Sequence, residues 1–193
     1  MKNILILAGP SGVGKTTLAH ALLDGSYNFE LVRSVTSRQP RGDSFDGEYI
    51  YHTRKELEKL IESGGVLEYT EYAGNLSGTP RSEIDRILAE GKAPLLILDL
   101  NGVHTVTNAK SDIAPCAIYL TVPEATLKSR LSARYGEDKE KLLSRLNQNK
   151  LDLGKYEKIK SDFYATVENS GNVGKCAEDV VKLFSDFKSK IQI

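Results

Sequence analysis

Gly9-Pro10-Ser11-Gly12-Val13-Gly14-Lys15-Thr16 decides how this 193-residue chain is read. Two glycines five apart, then lysine and a hydroxyl residue, make the pattern of a phosphate-binding loop. The flanks fit it. Asn3-Ile4-Leu5-Ile6-Leu7-Ala8 is a short apolar run expected to be a strand, and Thr16-Thr17-Leu18-Ala19-His20-Ala21-Leu22-Leu23 can be one helix. Glycine admits backbone conformations that a Cβ forbids, so successive amide N–H groups can turn inward around phosphate oxygens at the helix start. In that arrangement Lys15 reaches the outer phosphates and the Thr16 hydroxyl ligates Mg²⁺. The plain alternative is a glycine-rich turn with a solvated lysine.

The length allows one substantial core without disulfides, so one domain is expected. Lys plus Arg equals Asp plus Glu at 26 each, which removes the bulk electrostatic case for nucleic acid or an anionic membrane. Cys116 and Cys176 have no motif spacing and read as buried thiols, which suits a reducing cytosol. The apolar N-terminal run is too short for a signal-peptide core, and no run reaches membrane-spanning length. A soluble cytoplasmic protein is expected. His20, His52 and His104 show no metal spacing.

Beyond the first helix, Glu30 to Thr36 reads as one strand rich in β-branched residues, running into a basic corner, Ser37-Arg38-Gln39-Pro40-Arg41. Asp46-Gly47 and the alternating Glu48-Tyr49-Ile50-Tyr51-His52 suggest a hairpin. Thr53 with Glu56 predicts a capping box for a helix to about Ser63, stopped by Gly64. Val66 to Tyr72 is expected to be a strand. Ala73-Gly74-Asn75 is read as a turn, and Thr79-Pro80 as the N-cap and first position of a helix ending near Gly91.

Pro94 to Asp99 is apolar until its aspartate, the pattern of a strand buried on both faces with an acid at its carboxyl end. Asp99 there suits a Mg²⁺ ligand opposite Thr16, direct or through water; the plain alternative is an aspartate tying down the next loop. A short helix near Val103 to Ala109 and a strand over Cys116 to Leu120 follow. The next helix, opening at Pro123-Glu124, sets Leu127 and Leu131 beside Arg130 and Arg134, and a second one holds Leu142, Arg145 and Leu146. An arginine row is as readily a solvated face as a functional one. Phe163 to Val167 is the last strand, and Val173 to Lys190 a closing helix after the Asn169 loop.

Five buried-type strands alternating with helices imply an α/β fold of the P-loop NTPase type: a five-stranded parallel sheet, helices on both faces, and the phosphate loop at the carboxyl edge. Residues 1–33, 88–124 and 150–193 form the expected core of this single domain. Residues 34–87 form a mixed α/β lobe, and residues 125–149 a charged helical excursion; both leave from strand ends near the loop.

These residues resemble the guanylate kinases over essentially the whole chain: Gly9 to Thr16, Ser34 to Arg41, Glu68, Gly74-Asn75, Gly78-Thr79, Arg130, Arg134, Arg145 and Asn169. The Arg-Gln-Pro-Arg corner about 25 residues past the loop is a more specific signal than the loop itself. The resemblance implies Mg²⁺-dependent phosphorylation of GMP, and of dGMP, by ATP in purine nucleotide metabolism. It makes 34–87 the monophosphate-binding lobe and 125–149 the lid. It assigns ATP to Gly9, Pro10, Ser11, Gly12, Val13, Gly14, Lys15, Thr16, Thr17 and Asn169. GMP falls to Ser34, Arg38, Arg41, Tyr49, Glu68, Thr79 and Asn101, the metal to Thr16 and Asp99, and catalysis to Lys15, Arg38, Arg41, Arg130, Arg134 and Arg145. Ser77 stands where the family usually has a tyrosine, and Asn101 where it usually has a second aspartate.

Two other readings stay open on the sequence. A kinase of the same build could act on another nucleoside monophosphate or a phosphorylated sugar. A non-catalytic guanylate-kinase-like module could bind a peptide, although Lys15, Thr16 and three excursion arginines have no use there. The expected partners are small nucleotides, with neither nucleic acid nor membrane, in a monomer or homodimer.

Overall fold

The computed structural model of the chain describes residues 1–40, 49–72 and 74–191. Its centre is β1 (Lys2–Ala8), buried from Ile4 onward. Because side chains alternate along a strand, Leu5 and Leu7 enter one apolar layer while Ile4, Ile6 and Ala8 enter the other. The apolar run is thus two half-cores read as one. On one face α1 (Lys15–Asp24) and α7 (Val173–Ile191) pack through Leu18, Leu22, Val180 and Phe184. On the other, α3 (Arg81–Ala89) and α4 (Leu100–Asn108) pack through Ile84, Ile87, Val103 and Val106.

The main sheet adds β2 (Phe29–Leu31), β7 (Ala93–Ile97), β8 (Ile113–Thr121) and β9 (Ala165–Glu168) in the order β2-β7-β1-β8-β9, every pair parallel. This is the expected five-stranded parallel sheet with helices on both faces. A second sheet holds β3 (Ser34–Thr36), β4 (Tyr49–Tyr51), β5 (Val66–Tyr72) and β6 (Asn75–Pro80) in the order β4-β3-β6-β5. Its own small core is Val35, Leu57, Val66 and Leu76, closed by α2 (Arg54–Glu62), whose Thr53–Glu56 capping box is complete. Beyond β8, α5 (Glu124–Tyr135) and the 20-residue α6 (Lys139–Lys158) form an antiparallel pair; α6 runs unbroken past residue 149. Its far end is seated by Tyr156, whose ring stacks on Tyr119 at 3.6 Å and whose hydroxyl meets Thr166 Oγ1 at 2.8 Å. No helix among the described residues is long and apolar enough to cross a membrane.

Three expectations are corrected. Glu30 to Thr36 is not one strand: the Val32 N–H still donates to Leu95 in the main sheet, at 2.9 Å, but Arg33 turns out and Ser34 begins the second sheet. The run Tyr49–Tyr51 pairs with β3 in parallel, not as a hairpin; residues 37–48 give the length a parallel connection needs, and of these 41–48, including Asp46-Gly47, lie outside the described residues. Thr79 does not cap a helix. It belongs to β6, and Pro80 takes the N-cap position of α3 with no side-chain cap bond. The turn expected at Ala73-Gly74-Asn75 holds at Gly74, with φ +75°, but it joins β5 to a sixth strand the sequence pattern did not mark.

At the chain's exit from the main sheet, Glu83 is 5% exposed and accepts a two-pronged bond from Arg33 (2.8 and 2.9 Å) and a longer one from Arg86 (3.1 and 3.3 Å). Arg86 and Lys92 also pair with Glu30 on β2. The Arg33 guanidinium, then Arg86, holds the Glu83 carboxyl down at about 2, against the opposing cost of burial. A carboxylate with a depressed folded pKa stabilises fully above its ordinary pKa near 4.5, and that contribution drains as the pH falls toward 2. Glu83→Gln should therefore cost about 2 kcal/mol at pH 7. The gap from the parent, measured by urea unfolding, should close between pH 4.5 and 2; a gap independent of pH would refute the ion-pair account.

Candidate functional site

β1 ends at Ala8 and delivers Gly9 to the carboxyl edge of the main sheet, where the next residues wrap before α1 begins at Lys15. Gly9, Gly12 and Gly14 have φ of +148°, +85° and +100°, values that side chains resist. Space forbids a side chain as well. A Cβ on Gly9 would sit 2.6 Å from the Leu120 carbonyl oxygen, and one on Gly14 would sit 2.6 Å from Asn169 Nδ2.

The loop is held from outside. Lys15 Nζ donates to the carbonyls of Gly9 (2.7 Å) and Pro10 (3.1 Å). Arg130 from α5 donates to the Val13 carbonyl and to the Asn169 carbonyl, both at 3.0 Å, and Asn169 Nδ2 meets the Val13 carbonyl at 2.9 Å. Asn149 on α6 accepts from the Ser11 N–H at 2.9 Å and donates to the Ser11 carbonyl at 3.1 Å. Asn149 is a site residue that sequence reasoning missed. Its one signal was its place one turn beyond Arg145, and a lone asparagine in a charged helix does not announce a partner 138 residues away.

Two cavities open on the loop. One, about 620 Å³, lies between the loop, α5 and the start of α7; Lys15, Thr16, Thr17, Arg130, Arg134 and Asn169 line it. The other, about 840 Å³, lies between the loop, the end of β7 and α6; it brings together Gly9, Lys15, Asp99, Asn101 and Arg145. Burial pushes the Lys15 pKa down, opposed by the Asp152 and Asp99 carboxylates, so the cation is partly stripped of water and available to an anionic guest. Asp99 also caps α4, accepting from the Gly102 N–H at 2.8 Å. The loop-tying role set out as the alternative for Asp99 is therefore real.

A third cavity of about 200 Å³ lies between the sheets, lined by Ser34, Tyr49, Glu68, Thr70, Ser77 and Asp99. Thr79, 2% exposed, donates its hydroxyl to Glu68 at 2.7 Å. Burial raises the Glu68 pKa; the Thr79 bond opposes this and Asp99 adds to it. Arg38 lies over the Tyr49 ring, 5.2 Å from its centre, and its Nη1 is buried without a hydrogen-bond partner among the described residues. A buried guanidinium nitrogen left open is costly unless a ligand completes it. Ser77 supports this corner rather than contacting a guest directly. Its hydroxyl meets Thr36 Oγ1 at 2.8 Å, and Thr36 Oγ1 accepts from the Arg38 N–H at 3.3 Å. Arg41 lies outside the described residues.

Ile97, Leu98 and Asp99 line both this cavity and the larger one over Lys15. The two cavities therefore adjoin at the end of β7, with a phosphate-type cradle on one side and the half-buried Glu68 carboxylate on the other. Hard oxygen donors for a divalent cation, the Thr16 hydroxyl and the Asp99 carboxylate, are exposed at the same edge.

Comparison with known proteins follows this geometry. A family model described as guanylate kinase matches residues 1–186. The guanylate kinase of Lactobacillus delbrueckii subsp. bulgaricus is 38% identical over 153 residues, spanning 78% of this chain and 74% of its own. That of Lactococcus lactis subsp. lactis is 34% identical over 183 residues, spanning 93% and 85%. The crystal structure of guanylate kinase from Anaplasma phagocytophilum matches with a TM-score of 0.67 at 23% identity, covering 95% of this chain and 84% of that one, a likeness of fold.

Gly14→Ala tests the cradle. Its Cβ must displace the Asn169 amide and hold a left-handed φ, so affinity for tripolyphosphate should fall about tenfold or more. Titration calorimetry would read this, and unchanged affinity would count against the loop as the anion site.

Proposed function

The chain belongs to the guanylate kinase family, and we propose that it transfers the γ-phosphoryl group of ATP to GMP, and to dGMP, through the residues gathered at the end of β7. The observation that carries this reading is the shared wall of Ile97, Leu98 and Asp99, which sets the phosphate cradle and the Glu68 pocket side by side. Residues 34–87 act as the monophosphate-binding lobe and 125–149 as the lid.

Bringing a phosphate monoester to the end of a triphosphate sets like charges together, so the site must supply fixed positive charge more than covalent help. The loop amides and Lys15 take the triphosphate, and Asn169, packed under the loop, lies toward the adenine side. Arg38, with its open Nη1, and Arg41 clamp the acceptor phosphate, assisted by the Tyr49 hydroxyl. Arg134 and Arg145 enter the two loop cavities and meet the charge that develops in transfer. Arg130 acts at the same edge while bracing the Val13 carbonyl. Thr16, and Asp99 directly or through water, would hold Mg²⁺, which would neutralise charge on the phosphates.

Glu68 selects the base. Guanine presents N1–H and N2–H₂ as adjacent donors to one carboxylate, whereas adenine would leave that charge unpaired in a buried pocket. Thr79 orients the carboxylate, Ser34 offers a polar contact in the same cavity, and Asn101 offers one from the adjoining cavity over Lys15.

ADP release from Mg²⁺-ATP should be fast with GMP or dGMP and absent with AMP, CMP, UMP or a sugar phosphate. Lys15→Ala should abolish it while acceptor binding survives; turnover retained in that variant would sink the enzymatic reading. Because burial raises the Glu68 pKa, its carboxylate is lost as the pH falls through that raised value, earlier than for an ordinary glutamate. The KM for GMP should climb on that acid limb, while Glu68→Gln should show a KM about tenfold or more higher that is flat over the same pH range. A parallel acid limb in both proteins would exclude Glu68 as the titrating group.

A further inference from the structure

Asn149 is 8% exposed, and its carboxamide meets both main-chain polar groups of Ser11, one from each peptide unit flanking its Cα, accepting from the Ser11 N–H and donating to the Ser11 carbonyl. Turned over, the same amide would set donor against donor and acceptor against acceptor, so the pairing fixes a single orientation. Ser11 lies between Gly9 and Gly12, which resist few backbone torsions, and its own N–H and carbonyl are held by Asn149. With one atom of each flanking peptide unit held, the two backbone torsions at Ser11 are constrained together.

Lys141, Arg145, Gln148, Asp152 and Lys155 recur along α6 at alternating steps of four and three and line the cavity over Lys15. Asn149 stands beside this stripe, one turn beyond Arg145, while Tyr156 anchors the helix farther along.

We propose that Asn149 is a positioning residue for ATP: by holding the main chain on both sides of the Ser11 Cα it sets the shape of the phosphate loop and fixes that loop in register with the helix that carries Arg145. This rests on the assignment of the loop to ATP. Among the described residues the Glu68 cavity is lined by none from α6, so recognition of the guanine base does not run through this contact.

The test compares Asn149→Ala with the parent enzyme, titrating Mg²⁺-ATP and GMP separately and following thermal unfolding. The expected result is an ATP affinity lowered by about tenfold or more, with GMP affinity held within about twofold. Unchanged ATP affinity, or a parallel loss for both nucleotides with a collapsed melting midpoint, would overturn the proposal. A parent enzyme that fails to bind ATP would instead overturn the ATP-site reading beneath it. Amide hydrogen exchange in the intact parent gives a second measure that needs no variant. The Ser11 N–H should be strongly protected without nucleotide, and exchange at the rate of an exposed loop would refute the contact.

Discussion

An amide that turns its N–H toward an anion turns its carbonyl into the protein, and a carbonyl so turned must find a donor. In the phosphate loop four carbonyls are served by side chains. Lys15 serves the Gly9 and Pro10 carbonyls, Asn149 serves Ser11, and Arg130 with Asn169 serves Val13. The donors come from α1, α5, α6 and the end of β9, so elements distant in sequence are drawn to one point. The three glycines supply the torsions, and these side chains hold them. The helices α5 and α6 are thereby tied to the loop by neutral as well as charged groups, and Arg134 and Arg145 take their places from that tie.

Much of the main fold was legible because its signals are local. A run such as Asn3-Ile4-Leu5-Ile6-Leu7-Ala8, buried on both faces, needs no partner to be recognised, and the Thr53–Glu56 box closes within one turn. What escaped depends on contacts across the chain. Glu30 to Thr36 looks continuous because β-branched residues suit either sheet; its division at Val32 and Arg33 is set by Leu95 on one side and Glu83 on the other. Thr79 before Pro80 is locally a helix cap, but Thr79 is drawn into β6 beside Glu68, to which its hydroxyl donates, and α3 starts only at Arg81. β4 takes the edge of β3 that β6 leaves open, and the twelve residues between β3 and β4 are long enough for it to return in parallel.

The site residues divide in the same way. Lys15 and Thr16 were readable from spacing alone, whereas Arg38 and Glu68 took their meaning from family resemblance, and the structure adds a buried open nitrogen for one and a half-buried carboxylate with raised pKa for the other. Ser77 is polar support for the arginine corner through Thr36, a role that no sequence pattern encodes. Between the lobes, Glu83, Arg33, Arg86, Glu30, Lys92 and Glu90 join the exit from β2 to α3. Their charges balance in number, three acids against three bases, so the junction is fixed without adding net charge beside a site that must attract two anions.

The stacking of Tyr156 on Tyr119 gives α6 a mechanical character. A helix rises about 1.5 Å per residue, so Arg145 lies about 16 Å along the rod from Tyr156, and a tilt of about 10° about that fulcrum would sweep its backbone by about 3 Å. Asn149 lies between them and shortens the free arm to about 6 Å, for which the same tilt yields only about 1 Å. The rod thus has two bearings: one sets where it is carried, and the other sets how far its working end can travel.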